Sequence, residues 1–188
     1  MKKASILQHL HRRKQQHGVV AIEFAALFLL FFTVLYGVVA YSLPMLLTLS
    51  YKHLSAEAAR SAIRVDPTLD RETYKQLVSQ QITENIDNSW LPEDWYNGNC
   101  PTPGSALPWE PLPASAGRPS FGYLAEETIT PNHTRYLLQV CIQRKYNNSG
   151  SDGETAIIPV LKLGGLSIPS LPESDGDQII RGRATIQL

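Results

Sequence analysis

The sequence predicts an α+β protein in which a long N-terminal membrane-spanning helix, extended outside the membrane, packs against a small antiparallel β-sheet. Three observations carry this expectation. Residues 1–18 hold Lys2, Lys3, Arg12, Arg13 and Lys14 and no acid, residues 24–50 hold no charge at all, and the last third alternates apolar and polar side chains.

The chain's 17 basic and 17 acidic residues balance. Subtracting the five basic residues of the first 18 leaves 12 basic against 17 acidic, so a neutral total conceals a basic head and an acidic body. A basic head before an apolar run places the N-terminus in the cytoplasm and the bulk of the chain across the membrane. The 27 residues of 24–50 cross a hydrocarbon layer of roughly 30 Å with length to spare. A cleaved secretory signal fits less well, because its apolar region runs to about 7–15 residues and ends at a small-residue site absent here. A buried helix of a soluble domain also fits less well, since Leu27-Phe28-Leu29-Leu30-Phe31-Phe32 is apolar on every side.

Glu23 stands at the head of that run, within Gly18-Val19-Val20-Ala21-Ile22-Glu23-Phe24. An acid in the centre of a membrane costs roughly 2.5–3.5 kcal/mol on insertion scales, and less near the interface. Were the chain cut between Gly18 and Val19, Glu23 would be the fifth residue of the new chain, about one helical turn from the new amine. The two charges then neutralise each other within one chain or between staggered neighbours. The alternative is an unpartnered acid reaching the headgroups, and spacing alone leaves the two readings level.

The basic leader, Gly18, Glu23-Phe24 and the apolar helix resemble the type IV prepilin signal. With Ala58-Ala59-Arg60-Ser61-Ala62-Ile63-Arg64 after the helix, residues 12–66 look like the TadE-like pseudopilins of the tight-adherence (Flp) pilus system. Flp major pilins are similar at the cleavage site but much shorter, and favour Glu-Tyr where this chain has Glu23-Phe24. The resemblance therefore implies a minor, pilin-like subunit, cleaved after Gly18 by a prepilin peptidase to begin at Val19, with Glu23 and Phe24 serving processing or assembly. It also implies a pilin-like fold, a place in the bacterial inner membrane with the C-terminal domain periplasmic or extracellular, and as partners the peptidase, other pilins or pseudopilins, Tad assembly components and membrane lipid, with no nucleic acid. The expected organisation is a leader at 1–18, a spanning and extended helix at 19–66, and an exported α+β domain at 67–188.

Beyond the membrane the helix is expected to persist, because Leu54, Ala58, Ala59, Ala62 and Ile63 recur at helical spacing while Lys52, Glu57, Arg60 and Arg64 take other faces. It should end before Pro67. Pro44 removes one backbone bond and predicts a kink, with Ser42 or a neighbouring helix meeting part of the loss, while Gly37 is a place for another helix to approach. A second helix is expected over 70–88, with Asp70 as N-cap, Glu72 at its positive end, Tyr74, Leu77, Val78, Ile82 and Ile86 along one face, and Lys75 among the residues facing away.

Residues 89–120 carry seven prolines and three glycines, which argues against regular structure. Trp90, Trp95, Tyr96 and Trp109 make this a loop folded back over the domain, with an adhesive or partner-binding loop as the sharper alternative. Strands are expected over 136–143, 155–163 and 178–188, with a further one at 121–128. In the third, Ile180, Ala184 and Ile186 share a face opposite Arg181, Arg183 and Gln187. Residues 147–153 and Gly164-Gly165 read as turns.

Cys100 and Cys141 both fall outside the cytoplasm on this topology, where a disulfide persists. Neither a Ser, His and acid constellation nor a phosphate-binding loop can be assembled, so no catalytic residue and no cofactor are expected. A metal site is not expected either, because His53 and His133 are the only exported histidines and the cysteine spacing suits no zinc finger. The leader histidines, set among Arg and Lys, belong to a basic anchor at acidic lipids. The sequons at Asn132 and Asn147 matter only in a glycosylating secretory pathway, which the bacterial resemblance argues against. The function expected is a pilin-like assembly subunit of an Flp-type pilus. The alternative is an uncleaved single-pass protein that contacts a cell-surface ligand through its exported domain.

Overall fold

The computed structural model describes residues 17–104, 106–130, 133–147, 155–163, 165–174 and 176–188. The basic leader up to residue 16, the sequon asparagine Asn132, the expected turn beyond Asn147 and residue 164 lie outside them. Helix α1 runs His17–Ser61, closes with a 3-10 turn at Ala62–Arg64 and is followed by α2, Arg71–Asp87. Two compact units divide the chain at residues 38 and 39.

In the first unit the residues of α1 from Val19 to Leu35 are exposed, and Tyr36 and Gly37 are half-buried. Ring contacts at helical spacing, Phe24 to Phe28 at 5.9 Å and Phe28 to Phe32 at 4.3 Å between centroids, line its surface. Thr33 donates its hydroxyl to the Leu29 carbonyl at 2.8 Å, so the one side-chain hydroxyl between Phe24 and Leu35 is satisfied within the helix.

In the second unit, α1 gains a buried face. Ala40, Leu47, Tyr51, Leu54, Ala58 and Ala59, with Ala62 of the 3-10 turn, fall on one helical face and are covered, whereas Met45, Leu46 and Leu49 stay exposed. Ile63, expected on the covered face, is 61% exposed, because the tightening to a 3-10 turn at Ala62 rotates it outward. Pro44 lies within the continuous helix, and Ser42 donates to the Val39 carbonyl at 2.8 Å, rather than to the Ala40 carbonyl that the proline leaves free.

Helix α2 starts where its cap does. The Asp70 carboxylate accepts from the Thr73 N–H at 3.0 Å, satisfying one of the otherwise unpaired amides of the first turn. Tyr74, Val78, Ile82 and Ile86 are buried as expected, but Leu77 is 37% exposed and Ser79 and Thr83 take its place on the inner face. The Ser79 hydroxyl donates to the Pro113 carbonyl at 2.6 Å.

The main sheet is antiparallel, in the order β1-β2-β3-β7-β6, with β1 at Trp109–Pro111, β2 at Gly122–Thr130, β3 at His133–Lys145, β6 at Glu173–Ser174 and β7 at Asp177–Gln187. A separate hairpin joins β4, Leu161–Leu163, to β5, Leu166–Ile168. The expected strand at 155–163 is therefore shorter at its start. Pro159 has no amide to pair, and the preceding backbone is tied down locally: the Ala156 amide donates to the Asn147 carbonyl at 2.6 Å, Thr155 accepts from Arg144 Nη2 at 3.0 Å, and Ile158 donates to the Tyr146 hydroxyl at 3.1 Å. Gly165, with φ +93°, takes the turn conformation expected of the Gly-Gly pair.

Leu124, Leu138, Val140 and Ile142 form the buried face of the sheet, and register brings Ala184, Gly182 and Ile180 beside them. The helix meets this face at Gly182, where any Cβ would overlap the backbone of Tyr51 and Lys52. Ser55 donates to the Gly182 carbonyl at 3.2 Å, and the Tyr51 hydroxyl donates to the Trp95 carbonyl. An α-helix thus packs on an antiparallel sheet, the α+β arrangement the sequence predicts.

The Pro-rich segment is folded back over this domain and contains more regular structure than its composition suggests. β1 forms inside it, at the edge of the sheet where a proline is tolerated at the strand end. Asn97 exchanges two backbone hydrogen bonds with Gln143, at 2.8 and 2.9 Å, and so continues the pairing of β3 past the end of β2. Three residues on, Cys100 is bonded to Cys141 of β3, with Cα atoms 6.3 Å apart. The bond spans 41 positions of sequence and is worth about 4 kcal/mol in the chain-entropy account.

Candidate functional site

The feature of this chain with the clearest chemistry is the free part of α1 together with its one acid. Among the described residues, a single helix is long and apolar enough to cross a membrane, with a mean hydropathy of 2.4 over its most apolar window and none of that window buried. From Val19 to Val39 is 21 residues of α1, about 31 Å at helical rise, which matches the hydrocarbon thickness of a bilayer. Among the described residues Ala40 is the first of α1 to be fully buried. The uncharged run that sequence reading gives as one span thus has two environments: its residues up to Leu35 are exposed, and one face of its second part is core.

Gly18 and Val19 lie in the first turn of α1, where the first four amides have no partner within the helix. Glu23 follows Val19 by four residues in the same helix, so the Val19 nitrogen and the Glu23 carboxylate share a face one turn apart. Glu23 and Phe24 are both exposed, and among the described residues no hydrogen bond or ion pair reaches the Glu23 carboxylate. A carboxylate in apolar surroundings needs a cation or water, and Glu23 is the single charged residue between Val19 and Tyr51.

The other residues singled out from sequence lie in the second unit. Cys100 and Cys141 are joined. His53 pairs with Glu57 at 3.5 Å on an exposed turn of α1. Among the described residues no group of three or more His, Cys, Asp and Glu is placed to hold a metal. Trp90 is 67% exposed, while Tyr96 is buried with its hydroxyl donating to Asp87 at 3.2 Å and its ring beneath the Arg118 guanidinium. Burial pushes the Tyr96 phenol up to about 12, so this side chain is a neutral donor at physiological pH. A cleft of about 680 Å³ opens beside Trp90 between Leu49, His53 and Glu57 of α1 and Asn85 and Asn88 at the end of α2.

Sequence reading missed the structural roles of Gly182, Tyr51 and Arg144. Arg144 is buried on the helix-facing side of β3, where its guanidinium donates to the carbonyls of Asp94 and Thr155 and so fixes the Pro-rich segment to the sheet. A glycine in the middle of a strand pattern was the available signal for Gly182. An arginine amid an alternating strand gave none.

Fold and site together define a class: an α+β domain carried on a single helix of membrane-spanning length that bears one acid at its start. Within that class, residues 18–60 match the family model described as TadE-like protein. The match takes in Gly18, Val19, Glu23 and Phe24 and stops one residue before α1 does. No curated protein and no solved structure matches the chain.

Proposed function

We propose that this chain is a pilin-like structural and assembly subunit of a tight-adherence (Flp) type IV pilus, cut after Gly18 by a prepilin peptidase and held by α1 in the bacterial inner membrane. TadE-like proteins are structural, pilus-associated proteins, and the role is correspondingly non-enzymatic. The observation that carries the reading is the lone Glu23 carboxylate one turn after Val19, on a stretch of α1 that is otherwise uncharged as far as Tyr51 and is exposed around Glu23. Cleavage at Gly18 turns the Val19 nitrogen into an ammonium, which supplies the cation Glu23 lacks. The pair then forms within one chain or between neighbouring subunits staggered along an assembly axis. The basic leader keeps the N-terminus cytoplasmic, and the disulfide suits a domain exposed in the periplasm or beyond.

The site of the cut favours this chemistry. A peptidase needs its substrate backbone extended, and unwinding the first turn of a helix breaks few hydrogen bonds because its amides have no intrahelical partners. Partners follow from the proposed role: the peptidase, other pilins or pseudopilins, Tad assembly components and lipid. The test is the intact mass of the protein extracted from native membranes. A mass that begins at Val19 supports the reading, and one that retains residues 1–18 rejects it in favour of an uncleaved, membrane-anchored binding protein. The exposed Trp90 beside its cleft is the feature that would serve such a binder.

A further inference from the structure

The β4–β5 hairpin stands apart from the main sheet and has an unusual composition. Its register pairs Leu161 with Ile168, Lys162 with Ser167 and Leu163 with Leu166, so apolar pairs flank one polar pair. Cross-strand partners share a face and neighbours along a strand alternate, which makes the hairpin two-sided at its base: Leu161 and Ile168 on one side, Lys162 and Ser167 on the other. Leu161 is 41% exposed although it is apolar. A lone two-stranded hairpin is marginally stable in water unless its apolar side is covered.

Its position indicates what covers it. Val160, just before β4, is part of the domain core, and just after β5 the Ser170 amide donates to the Tyr41 hydroxyl at 2.9 Å. Tyr41 follows directly on Ala40, the first fully buried residue of α1 among those described. With a membrane span of about 31 Å counted from Val19, Tyr41 falls at the outer boundary, the depth at which tyrosine rings collect. The hairpin base is thus fastened to α1 where the helix leaves the bilayer.

We propose that the apolar side of the β4–β5 hairpin rests in the outer interfacial layer of the bilayer that α1 crosses, with Lys162 turned toward lipid phosphates. The inference rests on the membrane-anchored reading above. Depth is limited by the backbone: each strand of a two-stranded hairpin has one edge of unpaired amides and carbonyls, which hydrocarbon cannot satisfy but hydrated headgroups can. The hairpin therefore lies among headgroups and does not span. It gives the domain a second contact with the bilayer.

The test uses the full chain in phospholipid vesicles, labelled with an environment-sensitive fluorophore at Leu161→Cys or, in a separate protein, at Val34→Cys. Both native cysteines are buried and disulfide-bonded, so the introduced thiol takes the label. Leu161 is expected to show a blue-shifted emission that is lost more to spin labels at the headgroup than to labels deep in the acyl chains, with the reverse order at Val34. Quenching at Val34 but none at Leu161 overturns the hairpin proposal and leaves the anchor intact. Quenching at neither position overturns the anchor, and the hairpin proposal with it.

Discussion

At Gly182 the absence of a side chain sets how closely the sheet approaches α1. A Cβ there would meet the backbone of Tyr51 and Lys52, and neither can swing aside as a flexible side-chain tip can. Gly182→Ala therefore forces β7 and α1 apart and strains the Ser55 to Gly182 bond, at a cost of about 1–3 kcal/mol typical of overpacking. Thermal unfolding of the full chain in detergent, followed by circular dichroism, should show a lowered midpoint. Gly37→Ala is the matched control, because a Cβ at Gly37 meets nothing within 4 Å, and it should leave the midpoint of the domain unchanged. The sequence pattern Ile180, Ala184, Ile186 marks the right face of β7 yet passes over Gly182. Periodicity registers side chains, and here the packing depends on one that is missing.

Between elements, the N-terminus of α2 is fastened to the sheet edge by charge. Arg71 bonds Glu110 of β1 at 2.9 Å and Glu126 of β2 at 2.7 Å, and Lys75 reaches Glu110 at 3.2 Å. Lys75, expected to face away, is instead drawn over the sheet edge, because β1 brings an acid within reach of its stem. The hydrogen bond from Lys75, and after it the charge of Arg71, hold the Glu110 carboxyl below its ordinary value of 4.5. A carboxyl depressed by folding contributes stability above its unfolded pKa and loses it as pH falls through the folded one. The domain should accordingly lose a small part of its stability on acidification from pH 5 to pH 3, small because the pair is solvent-screened. Denaturant midpoints for Glu110→Gln should lie below wild type at pH 7 and converge with it at the acid end. Both helices were legible from sequence because 3.6-residue periodicity and the Asp70 cap act locally, whereas β1 was hidden. Its three residues pair only because β2 offers an edge, and nothing local records that.

Across the whole molecule α1 has two environments, exposed up to Leu35 and packed on the sheet from Ala40 on, and the sequence reveals the first better than the second. A charge in an apolar run is visible in the sequence because membrane insertion makes it costly, so Gly18, Val19, Glu23 and Phe24 could be chosen before any coordinates. The division of the uncharged run at Ala40 could not, since Leu47 in the core and Leu46 outside it are chemically alike. That division also sharpens what Glu23 must do. With the span counted from Val19, Glu23 sits one turn in from its N-terminal boundary, near enough that its carboxylate can reach water and that insertion alone demands no partner. Glu23→Gln should therefore still insert, still form the Cys100–Cys141 bond and still unfold at the wild-type midpoint. If the carboxylate serves instead to meet the ammonium of a processed Val19 on a neighbouring subunit, the variant should lose assembly while keeping all three. Glu23→Asp, which keeps the charge on a shorter stem, should recover part of it. Co-purification of tagged and untagged copies from native membranes, together with counts of surface pili, measures the difference. Wild-type assembly by Glu23→Gln would reduce the acid to an interfacial residue and remove the electrostatic basis of the proposed function.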